Sequence, residues 1–285
     1  MKVFHHYDIV YRKAGDNKLN FVEPPAYGWV ADPFLVKYKE RIFLFAEIFL
    51  FLSERNGVIG YCEYIDGKFS NWTITMDKHW HLSYPNVFVR NGELYMVPES
   101  YQLEEVALYR LKEFPDKWEK ERAILDNVEY CDSTFLNDNG EEYMFTFERG
   151  RKSPEGRGLL YKLSTGEFQV LSDSLEGTRC GGKIIYENGK KIRVGQDCVM
   201  EYGKGLIFYE IESIWPKYKE KEIGRLYVED LEFDRRREYT GVHTYNRISD
   251  LEVFDLRYAS STLEEEQASD RVHKVFVDKY LIGRI

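Results

Sequence analysis

Polar side chains recur at corresponding points of five similar segments in this 285-residue chain. In chain order they are Asp32, Asn86, Asp132, Arg179 (or its neighbour Cys180) and His243. A carboxylate is costly to bury unless it is paired or lies in a solvated cleft, and a core strand does not need one at its inner end. We therefore predict that these residues form a site. The alternative for both aspartates is a local role as hydrogen-bond acceptors in a turn.

The segments that carry these residues look like antiparallel hairpins. Each contains an apolar strand, a turn and a second strand rich in aromatic residues. In three of them the turn is an Asn-Gly pair: Asn91-Gly92, Asn139-Gly140 and Asn188-Gly189. Asn-Gly favours a type I′ turn, because both central residues of that turn need a positive φ.

The spacing of the segments indicates a propeller. Taking Asp32, Asn86, Asp132, Gly181 and His243 as equivalent points, the gaps are 54, 46, 49 and 62 residues. Each gap has room for about four short strands, which is one propeller blade. We predict an all-β, five-bladed β-propeller over residues 1–258, in which the polar residues meet at one end of the central channel.

The C-terminal part has a different pattern. Residues 260–280 are predicted to be helical, with Thr262 and Glu265 as a capping box and an apolar face after them. We therefore predict a helical tail over residues 259–285 that packs on or beside the propeller, or closes its seam. A role in binding a partner or a membrane surface is the alternative.

Composition excludes several classes of protein. The net charge of −9 argues against nucleic-acid binding. The longest apolar stretch, residues 42–52, is too short to span a bilayer and contains Glu47. The N-terminal segment lacks an apolar signal core, and the four cysteines are widely spread with no CxxC pair. We expect a cytoplasmic protein with reduced thiols, no transmembrane segment, no cofactor and no metal site, since nothing indicates a divalent cation.

The segments WVADPFLV, FLFAE and DSTFL resemble the five-bladed propellers of glycoside hydrolase families 32, 43, 68 and 130. The resemblance implies that the first-blade aspartate is a base or nucleophile, which matches Asp32. It implies that a third-blade aspartate tunes the pKa of the first and binds sugar, which matches Asp132. Over residues 29–258 the chain is more similar to the propeller at the N-terminus of glucosamine inositolphosphorylceramide transferases and of bacterial polysaccharide-cluster proteins, through segments such as YPNVFVRNGELYMVPES and GVHTYN.

The chain departs from the hydrolases in the fourth blade. The general-acid glutamate expected there is replaced by Arg179 or Cys180 in the sequence TRCGG. An arginine cannot donate its proton near neutral pH, but it can hold a phosphate in a bidentate manner. We predict that Arg179 stabilises an anionic leaving group or a phosphate, a logic similar to that of family 130 phosphorylases. Glu99 and Glu176 are alternative proton donors.

Further residues are predicted to bind substrate. Trp29 is a candidate sugar-stacking wall, and the amide of Asn86 can both donate to and accept from sugar hydroxyls. Glu99, Arg193 and His243 are the remaining candidates. Each has a structural alternative, as a core residue, a blade-to-blade ion pair or a satisfied histidine.

Three functions are consistent with the sequence. The first is an enzyme that transfers a glycosyl unit from a sugar or sugar-nucleotide ligand during synthesis of a polysaccharide or glycolipid. The second is a non-catalytic glycan-binding module that works beside a separate glycosyltransferase. The third is a hydrolase or phosphorylase of family 43 or 130 type.

Overall fold

The computed structural model describes residues 3–51, 57–261, 264 and 267–268. Its strands form five antiparallel sheets. In each sheet one strand lies innermost and contacts the innermost strand of a neighbouring sheet. This arrangement confirms the predicted all-β, five-bladed propeller.

Blades I and II follow each other along the chain. Blade I contains β3 (Gly28–Tyr38), β4 (Arg41–Leu50), β5 (Gly57–Ile65) and β6 (Lys68–Phe69), and β7 (Thr73–Met76) also pairs with β5. Blade II contains β8 (Ser83–Arg90), β9 (Glu93–Glu99), β10 (Glu105–Glu113) and β11 (Lys117–Asp126).

Blades III and IV have the same plan. Blade III contains β12 (Tyr130–Asp138), β13 (Glu141–Arg149), β14 (Gly156–Lys162) and β15 (Phe168–Ser172). Blade IV contains β16 (Glu176–Cys180), β18 (Lys190–Asp197), β19 (Gly205–Ser213) and β20 (Lys219–Tyr227), and β17 (Ile185–Glu187) pairs with β18.

Blade V combines the two ends of the described chain. Its order is β21 (Tyr239–Ile248), β22 (Leu251–Ser261), β1 (Val3–Lys13) and β2 (Asn20–Phe21). β1 pairs with β22 without interruption, from Val3 opposite Ser261 to Lys13 opposite Leu251. The N-terminal strand therefore closes the ring.

The Asn-Gly turns have the backbone that the sequence predicts. Asn91 and Gly92 have φ of 52° and 77°, and Asn139 and Gly140 have 53° and 86°. Asn188 and Gly189 follow with 49° and 76°. Both central residues of each turn are thus left-handed, as a type I′ hairpin requires.

Every innermost strand is interrupted near its start by a β-bulge. The pairing register shifts between Ala31 and Phe34 in β3, and at corresponding points of β8, β12, β16 and β21. A bulge adds residues to one strand and redirects the side chains there. The same local irregularity thus recurs around one end of the channel.

Tyr84, Thr134 and Gly182 form a hydrogen-bonded plug that joins blades II, III and IV. Tyr84 is fully buried, and its hydroxyl accepts from the Gly182 N–H at 2.8 Å and lies 2.8 Å from Thr134 Oγ1. Thr134 also donates to the Gly182 carbonyl at 3.1 Å. Gly182 has a φ of 140°, and a Cβ there would lie 1.9 Å from the Tyr245 carbonyl oxygen, so only glycine fits against this plug.

The predicted C-terminal helix lies largely outside the described residues. β22 continues to Ser261, past residue 258, and only positions 264 and 267–268 of the tail are described. The tail therefore stays a prediction. Within the described ranges, no helix has the length and apolar character needed to cross a bilayer.

Candidate functional site

The site lies where the bulges of the innermost strands meet. Asp32, Tyr84 and Asp132 occupy the same place in blades I, II and III, and their φ angles are 53°, 41° and 52°. Residues other than glycine adopt this conformation at a cost and persist there only when the surroundings impose it. Such strain clusters at functional sites, so the repeated outlier marks this end of the channel.

Asp32 is buried and held by both carboxylate oxygens. Oδ1 accepts from Thr244 Oγ1 at 2.8 Å, and Oδ2 accepts from the Tyr84 N–H at 3.0 Å. Oδ1 also lies 3.5 Å from His243 Nε2. Burial is the main cause that raises the pKa of Asp32 to about 6, and Asp255 and Asp132 add to the effect while His243 opposes it.

His243 is fixed by a second buried carboxylate. Its Nδ1 lies 2.7 Å from Asp255 Oδ2, and Asp255 also accepts from the backbone N–H groups of Asp32, His243 and Thr244. His243 Nε2 lies 3.1 Å from the Tyr202 hydroxyl. Burial disfavours the imidazolium, but the charges of Asp255 and Asp32 outweigh it and raise the pKa of His243 to about 9. The ring is therefore a cation at neutral pH.

Asp132 and Arg179 form a buried ion pair on the other side of the site. Arg179 Nε donates to Asp132 Oδ2, which also accepts from Gln196 Nε2 at 3.3 Å. The guanidinium lies over the ring of Tyr202, with 5.0 Å between its carbon and the ring centroid. Arg179 thus neutralises one of the two aspartates, and its two terminal NH2 groups extend from the pair.

Two glutamates complete the acidic group. Glu47 on β4 and Glu99 on β9 stand opposite Ala31 and Ser83, which directly precede the bulges of their blades. Glu99 Oε2 accepts from the Asp132 N–H at 3.3 Å and lies 3.9 Å from Arg179 Nη2. Burial, followed by the neighbouring carboxylates, raises the pKa of both glutamates well above its ordinary value.

The charges of the site add to the effect of burial on these pKa values. Five carboxyl groups and two cations meet here: Asp32, Glu47, Glu99, Asp132, Asp255, Arg179 and His243. Five negative charges cannot be balanced by two positive ones in a buried space, so some carboxyls keep their protons. The raised pKa values of Asp32, Glu47 and Glu99 suit acid–base chemistry at a glycosidic bond, which needs one protonated and one ionised carboxyl.

Several predicted residues are brought together here. Asp32, Asp132, Arg179, Glu99 and His243 all belong to the group. Their roles in catalysis or binding stay predictions.

Trp29 lies beside this group, in an aromatic stack. Its ring is 4.7 Å from that of Phe49 and nearly parallel to it, and Tyr7 links it to His243 with centroid distances of 5.6 and 4.7 Å. Trp29 is 9% exposed, so most of its surface is already covered by protein.

Two predicted residues lie elsewhere. Asn86 is two residues beyond the bulge position, which Tyr84 occupies, and its Nδ2 donates to the Ser133 carbonyl at 2.9 Å. Arg193 is buried in blade IV, where it forms a bidentate pair with Glu220 at 2.6 and 2.8 Å. The alternative proton donor Glu176 pairs with Arg225 at 2.7 Å on the exposed side of blade IV.

Sequence reasoning missed Glu47 and Asp255 as members of the site. Glu47 follows Asp32 by 15 residues, and Glu99 follows Tyr84 by the same interval. That shared offset is a signal that the sequence contains. Asp255 lies in the second strand of its blade with no counterpart in the other repeats, so the sequence carries no comparable signal for it.

Two sets of side chains have the proximity that a metal site needs. They are Asp32 with His243 and Asp255, and Glu99 with Cys131 and Asp132, each set with its ligand atoms within 4.8 Å of one another. In the first set, backbone N–H groups and the imidazole already engage Asp255. In the second, burial raises the pKa of the Cys131 thiol and so disfavours a thiolate ligand.

The fold of this chain is similar to that of solved arabinofuranosidases. It is similar to the catalytic domain of a GH62 α-L-arabinofuranosidase from Coprinopsis cinerea, with a TM-score of 0.60, 11% identity, and coverage of 87% of this chain and 97% of that one. It is also similar to an α-L-arabinofuranosidase from Podospora anserina, with a TM-score of 0.57, 8% identity, and coverage of 88% and 97%. At these identities the likeness concerns the fold.

Sequence comparison identifies the family. Residues 22–257 match the family described as "Glucosamine inositolphosphorylceramide transferase 1, N-terminal", and the chain belongs to it. Glucosamine inositolphosphorylceramide transferase 1 of Oryza sativa subsp. japonica is 34% identical over 211 residues, covering 69% of this chain and 28% of that protein. The Arabidopsis thaliana protein of the same name is 33% identical over 216 residues, covering 68% and 27%. The match thus spans little more than a quarter of these relatives.

Proposed function

We propose that this propeller is a carbohydrate-active enzyme that transfers a glycosyl unit during assembly of a glycolipid or polysaccharide. The observation that carries the proposal is the meeting of Asp32, Glu99 and Asp132 with Arg179 at one end of the channel, where the pKa values of Asp32 and Glu99 are raised. The name of its family and the fold it shares with arabinofuranosidases support the same class of substrate.

Asp32 is the general base in this proposal. With a pKa of about 6, its carboxylate is mostly ionised at neutral pH and remains basic enough to take a proton from an attacking hydroxyl group. Thr244 and the Tyr84 N–H fix its two oxygens. His243 and Asp255 are positioning residues in this proposal. Asp255 fixes the ring of His243, and His243 contacts Asp32.

Whether Arg179 or Glu99 assists departure of the leaving group depends on the chemistry of that group. A nucleoside diphosphate needs its charge stabilised, which suits the terminal NH2 groups of Arg179. A neutral sugar leaving group needs a proton, which suits Glu99 because burial raises the pKa of its carboxyl. In either case we assign to Asp132, which pairs with Arg179, the role of accepting hydrogen bonds from the sugar hydroxyls.

A panel of sugar nucleotides with an inositolphosphorylceramide acceptor tests transfer, with product detected by mass spectrometry. We expect Asp32→Asn to reduce turnover by at least 100-fold with the fold intact, because the base is lost. Arg179→Gln should abolish transfer from nucleotide donors while Glu99→Gln retains it. The exposed Asp16→Asn is the matched control, and full turnover by Asp32→Asn would refute the assignment.

The alternative is a non-catalytic glycan-binding module that partners a separate transferase. It is favoured by the fact that each acid of the site already has a partner within the protein and little exposure. It predicts saturable binding of sugars with no product from sugar nucleotides or from nitrophenyl glycosides. Product from nitrophenyl glycosides that depends on Glu99 would instead indicate a hydrolase.

The cellular setting we propose is the cytoplasm. The four cysteines are buried and none forms a disulfide, which suits a reducing compartment. Fractionation of cells that express the tagged protein checks this, and recovery outside the cytoplasmic fraction would contradict it.

A further inference from the structure

A cavity lies along the innermost strands of blades II and III, beyond the bulges that carry the acidic group. It has a volume of about 410 Å³ and is lined by the later parts of β8 and β12 together with residues 183, 184 and 186 of blade IV. This volume falls within the range of sites for small molecules. Its lining does not include Asp32, Asp132 or any other residue of the acidic group.

Lys183 lines this cavity and has a cationic side chain. Its ammonium donates to the Leu35 carbonyl at 2.8 Å, which uses one of its three N–H groups. Among the residues that the structure describes, no carboxylate lies within ion-pairing distance of Lys183. Burial lowers the pKa of Lys183 to about 8, so the amine is still mostly charged at neutral pH.

The other charges at the cavity cancel. Arg90 and Glu142 both line it and form an ion pair with each other. The lining therefore carries one uncompensated positive charge, in a protein whose net charge is −9. An isolated buried cation is unfavourable unless a ligand or solvent supplies the opposite charge.

The rest of the lining suits a sugar ring. Tyr186 is 59% exposed, and its hydroxyl is fixed to the Asn137 carbonyl at 3.2 Å, so a large aromatic face is held open. Phe88 and Phe135 lie together beside it, with their centroids 5.1 Å apart. Asn86 also lines the cavity, and because its Nδ2 donates to the Ser133 carbonyl, its Oδ1 is the atom that can accept from a hydroxyl.

We propose that this cavity binds a sugar that carries an anionic group, either a carboxylate or a phosphate. Lys183 pairs with the anion, and Tyr186 packs against the ring. The site is distinct from the acidic group and does not depend on turnover there. Asn86 thus belongs to a saccharide site other than the one predicted for it.

Isothermal titration of the full chain with D-glucuronate, glucose 1-phosphate and neutral methyl glucoside tests the proposal. We expect at least one anionic sugar to bind tenfold or more tightly than methyl glucoside. Preference for glucuronate assigns a carboxylate, and preference for glucose 1-phosphate assigns a phosphate. Equal binding of all three sugars, or no binding, would overturn the proposal.

Variants locate the binding. Lys183→Gln and, independently, the exposed Tyr186→Ala should each weaken binding of the anionic sugar at least tenfold, with Lys112→Gln on blade II as the matched control. Asp32→Asn should leave it unchanged, which separates this site from the proposed function. If both Lys183→Gln and Tyr186→Ala bind like the wild type, or if Asp32→Asn abolishes binding, the assignment is wrong.

Discussion

At Asp32, the protonation state that stabilises the fold differs from the one that the proposed reaction needs. Burial favours its neutral form, whereas the proposed reaction needs its carboxylate. The cation of His243 and the hydrogen bonds from Thr244 and Tyr84 supply part of the missing solvation. The carboxylate thus persists at neutral pH at the expense of folding stability.

The raised pKa of Asp32 predicts that the stability of the protein depends on pH. The folded-state pKa of about 6 lies above the ordinary value of 3.8, so the folded protein binds this proton more tightly than the unfolded chain does. The free energy of unfolding should therefore fall as the pH rises from about 4 through 6, by on the order of 2–3 kcal/mol from this group. Asp32→Asn should remove that part of the slope.

Urea denaturation at pH 4, 5, 6 and 7 measures the effect. Asp16→Asn, at an exposed aspartate, serves as the control and should keep the wild-type slope. A slope that Asp32→Asn leaves unaltered would show that the buried carboxyl does not titrate in this range.

At the scale of strands, the bulges decide which side chains reach the site. The sequence predicts the hairpins well, because Asn-Gly turns and alternating apolar runs are local signals. It places Asn86 beside Asp32, although Tyr84 holds that position. Pro33 and Pro85 each follow the bulge residue directly, so aligning the two prolines would give the observed register. Hydrophobic periodicity alone cannot give this register, because it depends on a regular alternation of side chains and a bulge interrupts that alternation.

Close approach of two strands in blade IV gives a test of this geometry. A Cβ at Gly195 on β18 would lie 2.1 Å from the Gly177 carbonyl oxygen, whereas one at Gly224 on β20 would meet nothing within 4 Å. We expect Gly195→Ala to destabilise the protein by about 1–3 kcal/mol because the backbone must shift. Gly224→Ala should change the stability by less than about 0.5 kcal/mol.

Chemical denaturation of the two alanine variants gives the comparison directly. Equal stabilities would mean that β16 and β18 are further apart than described.

At the scale of the molecule, the ring is closed by the N-terminal strand. The sequence predicts five blades from their repeats, but it does not assign β1 to one. β1 lacks a hairpin turn to its partner, and Val10 pairs with Phe254, which lies at the other end of the chain. Pairing between such distant segments leaves no mark in local periodicity. The convergence of acids from four blades depends on this closure as much as on any single strand.

Ile9 tests the importance of the closure. Its side chain is fully buried on β1, whereas that of Lys13 on the same strand is exposed. We expect Ile9→Ala to cost about 2–5 kcal/mol, as for other large-to-small changes in a core. Lys13→Ala should be nearly neutral, as measured by the midpoint of thermal unfolding. A midpoint for Ile9→Ala equal to that of Lys13→Ala would indicate that β1 is dispensable.

The antiparallel seam also determines how the ring would respond to mechanical load. Val3 and Ser261 lie opposite each other, and pairing continues inward from them to Lys13 and Leu251. Tension applied between positions 3 and 261 would therefore load one pair of residues at a time, beginning at the outermost. The propeller would unzip at its fifth blade under modest force, while a pull along the strands would have to shear all the pairs together.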